Sequence, residues 1–373
     1  MAKLFERRLA PADSPLAIVS RTIAAFLAAM LVTSLLFVSF GAHPLQAYFV
    51  LFHEPFATLR GFGYTLARTS PLALIALGTI VAWRSGFNYL GFEGCFVIGA
   101  TSTAWLALSI APGGRTGHFP FPVFLSLAIL FGFGSGGAWA TLVGLVRARL
   151  GGNEVLISLM SNYVAILILQ YMVSGPLRAP GSLPETRLLP PTTWLPFILP
   201  GTRAHAGILI ALAAAGSVWM LLQKMPLGYE LIVTGLNPLA ARYAGIDVPR
   251  RLILSAFLGG GLGALAGMVE VLGSQHRLMD GISGGVGFIG IIVALLARLN
   301  PLAVIPTALL YGGMSVGADA MQRRANIPSS ITSILESLLV LFVLASDVLR
   351  YYDINPSAVW CRAPQTVEGQ ISE

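Results

Sequence analysis

The chain has 373 residues, of which 55% are hydrophobic and only 10% are charged, and its net charge is +7. Soluble proteins carry about 25% charged residues, and the mean hydropathy of this chain is +0.78. A water-soluble fold is excluded because the chain has too little polar surface to cover one. The composition predicts an all-α, polytopic membrane protein with room for about ten transmembrane segments of ~20 residues each.

Apolar runs along the chain predict ten membrane segments. They lie at residues 22–42, 70–83, 94–111, 120–146, 154–174, 206–223, 252–273, 286–298, 301–318 and 329–349. The second and eighth are too short to cross a bilayer. Such segments occur as broken or re-entrant helices where they line a cavity. We therefore expect short or broken helices around a central path.

The charges indicate how the segments are oriented. The first apolar run follows a basic stretch, residues 1–21, and is too long for a cleavable signal peptide, so we expect a cytoplasmic N-terminus. Lys and Arg are then more frequent in the inner loops, as the positive-inside rule requires. The largest outer loop, 175–204, holds seven prolines and three arginines. It is a docking surface for an external protein or a plain connector. The polar tail, 351–373, is expected to be cytoplasmic and disordered.

A polar segment of 28 residues, Lys224 to Arg251, interrupts the apolar pattern and contains one punctuated helix. Asn237 suits an N-cap, Pro238 the first helical position and Gly245 a left-handed stop. The two turns between, Pro238 to Ala244, are too short to be stable alone in water. Their small or flat side chains favour close approach to a second protein. The segment therefore predicts a contact through which movement is transmitted between this chain and a second protein.

Several kinds of site are absent from the sequence. Neither Lys3 nor Lys224 follows a glycine, so there is no phosphate-binding loop and any ATP must be used by another polypeptide. The two cysteines suggest no disulfide framework or metal site. No catalytic constellation is visible, so we do not expect an enzyme, nor a nucleic-acid partner. Gly259, Gly263 and Gly267 recur on one helix face, which is typical of closely packed membrane helices.

Polar residues at membrane depth are candidates for a translocation path. The acidic ones are Glu154, Glu270, Glu336 and Asp347. Each is costly in a bilayer and should face the bundle interior or water. Glu270 either belongs to a polar translocation path or outer gate, or is a structural partner for Arg277 or for backbone groups. Glu154 either caps the start of a helix or belongs to the path, and Asn162 either bridges helices or touches the solute.

Four stretches carry a resemblance to a known family. They are GGNEVLISLMSNYVA from Gly151, GLNPLAARYAGI from Gly235, the long stretch LAGMVEVLGSQHRLMDGISGGVGFIG and its continuation from Leu265, and NIPSSITSILESLLVLFVLASDVL from Asn326. Together with PLALIALGTIVAWRSGFNYLGFEG from Pro71, they cover most of residues 70–350. These residues resemble the membrane subunit of an ATP-binding-cassette importer of the branched-chain permease superfamily, in its nucleoside and simple-sugar group.

The resemblance implies a permease domain over residues 22–350 in a bacterial inner membrane, with both termini cytoplasmic. It also implies a second permease subunit, identical or different, a cytoplasmic ATPase and an extracytoplasmic solute-binding protein. The chain itself would bind no cofactor, since ATP is used by the partner. Segment 224–251 would be the cytoplasmic coupling loop. The residues expected to contact the ATPase are Gly235, Asn237, Pro238, Leu239, Ala240, Ala241, Arg242, Tyr243 and Gly245.

The sequence departs from the family pattern near residue 90. Where the pattern has Asn and Gln or Met, this chain has Tyr89 and Cys95, and Asn88 is shifted by one position. For the solute path we predict Asn88, Asn162, Glu270 and Phe288. Aromatic faces and a few polar groups suit a nucleoside and suit a simple sugar equally well. A third alternative is an ion-coupled secondary transporter that uses Glu270 or Glu336.

Overall fold

The computed structural model describes two units of the chain. The described residues are 5–7, 27–35, 37–38, 43–110, 120–325, 334, 337–338, 341–342 and 352–354. One unit joins the two chain ends, residues 1–44 and 328–373, and the other comprises residues 45–327. In the first unit, residues 27–35 and 37–38 are helical, and β1 (Phe5–Arg7) pairs antiparallel with β2 (Tyr352–Ile354).

The second unit is helical, as the composition predicts. Its helices are α1 (Pro44–Ala57), α2 (Leu59–Arg84), α3 (Phe92–Ile110), α4 (Phe121–Leu150), α5 (Glu154–Ser174), α6 (Gly207–Lys224), α7 (Pro226–Leu236), α8 (Pro238–Tyr243), α9 (Val248–Val269), α10 (Val286–Leu296) and α11 (Val304–Ala325). A 3₁₀ turn lies at Pro191–Thr193, and a π-helical turn, Glu270–Gln275, extends α9.

Six of the described helices are long and apolar enough to cross a membrane. They are α2, α3, α4, α5, α6 and α9 with its π-helical extension. Most of the apolar windows of α2, α9 and α3 are buried, 89%, 72% and 67% respectively, against 33% or less for the other three. Helices α2, α3 and α9 therefore form the centre of the unit, and α4, α5 and α6 leave apolar faces outside.

Glycines allow the central helices to approach closely. Gly259 lies against Gly78 of α2, Gly263 against Phe92 of α3, and Gly267 against the α3 backbone. A methyl group at any of these positions would crowd its neighbour. The predicted packing role of this glycine face is confirmed, because close backbone approach is what small residues provide in membrane helices.

The predicted second segment, 70–83, is wrong in its start and in its length. Helix α2 begins at Leu59 and has 26 residues, enough to cross. The part of α2 before residue 70 holds Arg60 and Arg68. In the fold, Arg68 forms an ion pair with Asp319 of α11, so its charge is compatible with a helix.

The predicted eighth segment is short in the structure, where α10 has 11 residues. The ninth segment runs as α11 from Val304 to Ala325. Most of the predicted tenth segment, with Glu336 and Asp347, and about half of the first segment lie outside the described residues. The count of ten segments thus stays a prediction.

Candidate functional site

The polar segment 224–251 folds around the short helix α8. The Asn237 side chain accepts hydrogen bonds from Leu239 N and Ala240 N, and Pro238 is the first helical residue. Gly245 follows the helix with φ +80°, a left-handed conformation that glycine adopts without strain. The predicted punctuation of this helix is confirmed.

Helix α8 presents an apolar surface outward. Tyr243 is 94% exposed and Leu239 is 65% exposed, whereas Ala241 is fully buried. Two large apolar side chains of this capped helix are thus uncovered in the described part of the chain.

Gly235 fixes helix α7 against the loop between α2 and α3. A Cβ at this position would overlap the backbone of Arg84 to Gly86, and Gly86 itself has φ +78°. Ion pairing between Arg251 of α9 and Glu230 of α7 closes the other side of the segment. Segment 224–251 is therefore in direct backbone contact with loop 85–91. Sequence reasoning did not find this contact.

Tyr89 and Cys95, the two residues that depart from the family pattern, contact each other. Tyr89 is fully buried, and its hydroxyl lies 3.1 Å from the Cys95 Sγ and donates to Gly91 O. Trp83 Nε1 donates to Tyr89 O. The Tyr89 ring is therefore a core element of loop 85–91, while the neighbouring Asn88 is exposed.

Helix α5 holds the start of α3. Asn162 is 3% exposed; its Oδ1 accepts from Gly94 N at 2.8 Å, and its Nδ2 donates to Leu90 O at 3.0 Å. One turn earlier, Ser158 Oγ accepts from Leu90 N. Of the two interpretations of Asn162, the bridge between helices is the one that this geometry supports.

Glu93 of α3 in turn holds the start of α10. Its carboxylate is buried and accepts from Gly287 N at 2.7 Å and from Gly285 N at 3.1 Å. Sequence reasoning missed this residue among the buried acids. The only local signal was a single acid flanked by glycine and aromatic residues. Phe288 follows Gly287 and is 43% exposed.

Glu270 opens the π-helical turn, and its Oε1 accepts from Gln275 Nε2 at 3.0 Å. The predicted alternative partner, Arg277, is wrong, because Arg277 donates to both oxygens of Glu185 at 2.9 Å. Glu185 belongs to the long loop before α6, 92 residues away. π-helical turns are frequent at functional sites, so Glu270 keeps its place as a candidate.

The Pro-rich loop, residues 175–206, packs onto the segment that follows α9. Leu195 N donates to Leu272 O, Leu189 N donates to His276 O, and the Trp194 ring stacks on the His276 ring at 3.9 Å. The loop is thus packed against this segment through backbone hydrogen bonds and a ring contact.

A second histidine, His205, ends this loop and is buried. Its Nδ1 accepts from Gly207 N and its Nε2 lies 3.3 Å from Ser274 Oγ. Burial, and to a smaller extent the nearby His276, lowers the pKa of His205 to about 4. Burial and Arg203 also lower the pKa of His276, against a backbone hydrogen bond to Leu272. Both rings are therefore neutral at pH 7.

Residues 61–344 match the protein family described as "Branched-chain amino acid transport system / permease component". The chain belongs to this permease family. It is thereby a multi-pass membrane protein of the permease class and resembles transport subunits rather than enzymes.

The permease is similar to several proteins of ABC transporters. It is 31% identical over 311 residues to the guanosine ABC transporter permease protein NupP of Bacillus subtilis, covering 82% of this chain and 87% of NupP. It is 29% identical over 340 residues to the glucose ABC transporter permease protein TsgB13 of Haloferax volcanii, covering 88% of each chain. It is 29% identical over 329 residues to the nucleoside ABC transporter permease protein NupB of Lactococcus lactis, covering 86% of this chain and 88% of NupB.

Each of these three organisms has a second, more distant match. These are NupQ, TsgC13 and NupC, at 22%, 23% and 24% identity to the permease. NupQ is named for the same solute as NupP, and NupC for the same solute as NupB.

Three of the four predicted path residues lie around the start of α3. Asn88 lies within loop 85–91, Asn162 binds Leu90 O and Gly94 N, and Phe288 follows Gly287, whose N–H binds Glu93. Glu270 is about two turns along α9 from Gly263, which packs on Phe92 at the start of α3. Glu154 follows the Asn153 cap of α5 and pairs with Arg147 at 3.0 Å, which fits the helix-opening interpretation.

Proposed function

We propose that the chain is the membrane-spanning permease subunit of an ABC importer for a nucleoside. The observation that carries the importer assignment is helix α8, capped at both ends and exposing Tyr243 and Leu239. A partner ATPase that seats this helix can move it as a rigid unit. Its motion reaches the membrane helices through the backbone contact between Gly235 and residues 84–86.

The nucleoside is favoured over a sugar by the relatives. NupP and NupB are named for guanosine and nucleosides, and both cover most of the chain. TsgB13 is named for glucose at comparable identity, so a simple sugar is the second candidate. Phe288, with a partly exposed ring, can stack on a flat base or on the apolar face of a sugar.

The second permease subunit in this proposal is a different chain. Bacillus subtilis and Lactococcus lactis each have two permeases with one solute name, of which this chain resembles one more closely. Two permeases with one solute name in each organism support pairing of unlike subunits. Asn88 and Phe288 are exposed in the single chain, and in the complex they would line the path between the two permeases.

The proposed orientation of the chain in the membrane indicates where its remaining partners bind. With segment 224–251 in the cytoplasm of a bacterial inner membrane and both termini inside, the Pro-rich loop faces outward. Its packing on His276 and Leu272 gives an ordered surface on which an extracytoplasmic solute-binding protein can dock. ATP is used by the partner ATPase and not by this chain.

The test replaces the exposed apolar side chains of α8. The double variant Leu239→Ser/Tyr243→Ser should lose most of the co-purifying ATPase. Its rate of ATP-dependent guanosine uptake should fall at least tenfold. Tyr229→Ser on α7, also exposed, is the matched control and should keep both. Ala241 and Gly235 are unsuitable for this test because they are packed inside the segment.

Uptake assays separate the rival functions. Binding-protein-dependent uptake of labelled glucose in place of guanosine would transfer the proposal to the sugar candidate. If no ATPase co-purifies with the wild type and uptake follows the proton gradient, the importer proposal is wrong and an ion-coupled transporter replaces it.

A further inference from the structure

Helix α10 is too short to cross the membrane and begins inside it. Its 11 residues span about 16 Å, roughly half the ~30 Å hydrocarbon core. Gly290 of α10 packs on Ile75, in the interior of the 26-residue helix α2. The first turn of α10 therefore lies at depth and not at a membrane surface.

The backbone before α10 is built from glycines. Gly281, Gly284 and Gly285 have φ of +71°, +52° and +83°, conformations that other residues adopt with strain. Gly287 has no room for a side chain because the backbone of Glu93 is directly against it. The chain thus turns sharply and brings the first N–H groups of α10 onto α3.

The start of a half-helix inside a membrane normally attracts negative charge. Its first N–H groups are unpaired and the helix dipole is positive there. In transporters with broken helices, this end binds the anionic group of the solute. In this chain Glu93 occupies that position, with one carboxylate oxygen on Gly285 N and the other on Gly287 N.

We propose that Glu93 is a specificity-determining residue that fills the start of α10 and thereby restricts the path to neutral solutes. This inference rests on the proposed function and deepens it. An anionic solute group finds both N–H donors already taken and meets a carboxylate of like charge. A nucleoside or a simple sugar has no charge and is not repelled by the Glu93 carboxylate.

The position of Phe288 links this contact to the solute. Phe288 follows Gly287 directly and is partly exposed, whereas Glu93 is buried. Gly287, whose N–H binds the Glu93 carboxylate, is therefore the chain neighbour of the predicted solute contact.

The experiment compares neutral and anionic forms of one solute. Permease complexes with their ATPase, in detergent and without binding protein, are dialysed against labelled guanosine or against guanosine oxidised at C5′ to a carboxylate. D-glucose and D-glucuronate form a second pair of this kind. Wild type should bind the neutral member of the relevant pair at least tenfold more tightly than the anionic one.

The Glu93→Gln variant should reduce the ratio of neutral to anionic affinity at least tenfold, mainly because it binds the solute that carries a carboxylate more tightly. Glu93→Asp keeps the charge and should keep the ratio. Glu154→Gln is the matched control, since Glu154 is also buried at a helix start but pairs with Arg147. It should behave as wild type.

Two results overturn the inference, and a third overturns the proposed function with it. If wild type binds anionic and neutral members equally, Glu93 does not select against charge, whether or not any variant folds. An unchanged ratio in an assembled Glu93→Gln complex leads to the same conclusion. If wild type binds neither guanosine nor glucose, the proposed solute classes themselves are wrong.

Discussion

Asn162 is the side chain through which α5 satisfies two main-chain groups at the start of α3. Replacing Asn162 by Ala leaves Gly94 N and Leu90 O without partners in a buried site. Each such loss costs about 1–3 kcal/mol. We expect a clear fall in the midpoint of thermal unfolding, measured on the purified permease, and equal relative losses for all solutes.

Asn88→Ala is the control for this prediction, because Asn88 is exposed. It should leave the unfolding midpoint unchanged. A solute-dependent effect of Asn162→Ala without loss of stability would contradict the bridging role and return Asn162 to the solute path.

His205 gives the Pro-rich loop a pH-dependent stability. Its pKa is about 4 in the fold, against 6.5 for the unperturbed group, so below pH 6.5 the unfolded chain binds the proton that the folded chain excludes. The contribution of neutral His205 to the free energy of unfolding is fully present above pH 6.5. It falls progressively as the pH is lowered towards 4, by on the order of 2–3 kcal/mol at the lower end. Protonation would also remove the acceptor for Gly207 N.

The measurement is thermal unfolding of the purified permease from pH 7.5 to pH 4. His205→Asn should reduce the slope between pH 6.5 and 4, while His276 contributes a remaining slope of the same sign. His53→Gln, which changes an exposed ring, should leave the profile as in wild type. An unaltered pH dependence of unfolding in His205→Asn would show that protonation of other groups destabilises the fold.

At the scale of elements, the contact between α7 and loop 85–91 connects segment 224–251 with the start of α3. Gly235→Ala places a methyl group on the backbone of residues 84–86 and forces the two apart. We expect the ATPase to co-purify, because α8 keeps its exposed face, and ATP-dependent uptake to fall at least tenfold. ATPase binding and uptake are measured on the same membranes.

Gly216→Ala is the matched control for Gly235→Ala. Gly216 lies within α6, and a methyl group there meets no atom within 4 Å. It should retain full uptake. Normal uptake in Gly235→Ala would mean that force passes from α8 to the membrane helices by another route.

Elements defined by local chemistry were predictable from the sequence. Helix α8 is specified by Asn237, Pro238 and Gly245, which act within a few residues of one another, and α10 is visible as a short apolar run. Contacts between distant positions were not predictable. Glu93 meets Gly285 and Gly287 across more than 190 residues, and Arg277 finds Glu185 across 92. Arg68, which lies before the predicted second segment, pairs with Asp319, 251 residues further on.

At the scale of the whole molecule, the single chain leaves exposed surfaces that lipid or a second subunit can cover. The apolar windows of α4, α5 and α6 are only 28%, 22% and 33% buried, and lipid can cover such faces. Asn88 and Phe288, in contrast, flank the contacts that join α3 to α5 and α10. A path between two permeases would place both residues on the shared surface.

The last prediction is that this shared surface joins two different permeases. The purified importer should contain, by native mass spectrometry, one copy of this 39.4 kDa chain and one copy of a related permease of different mass. Charge at the surface should separate the subunits, so Phe288→Asp should reduce recovery of the second permease. Leu209→Asp, on an exposed position of the α6 face, controls for a general effect of charge on membrane insertion. Two copies of this chain in one complex would contradict the prediction, and the path would then be symmetric, with two Phe288 rings and two Glu93 carboxylates acting on one solute.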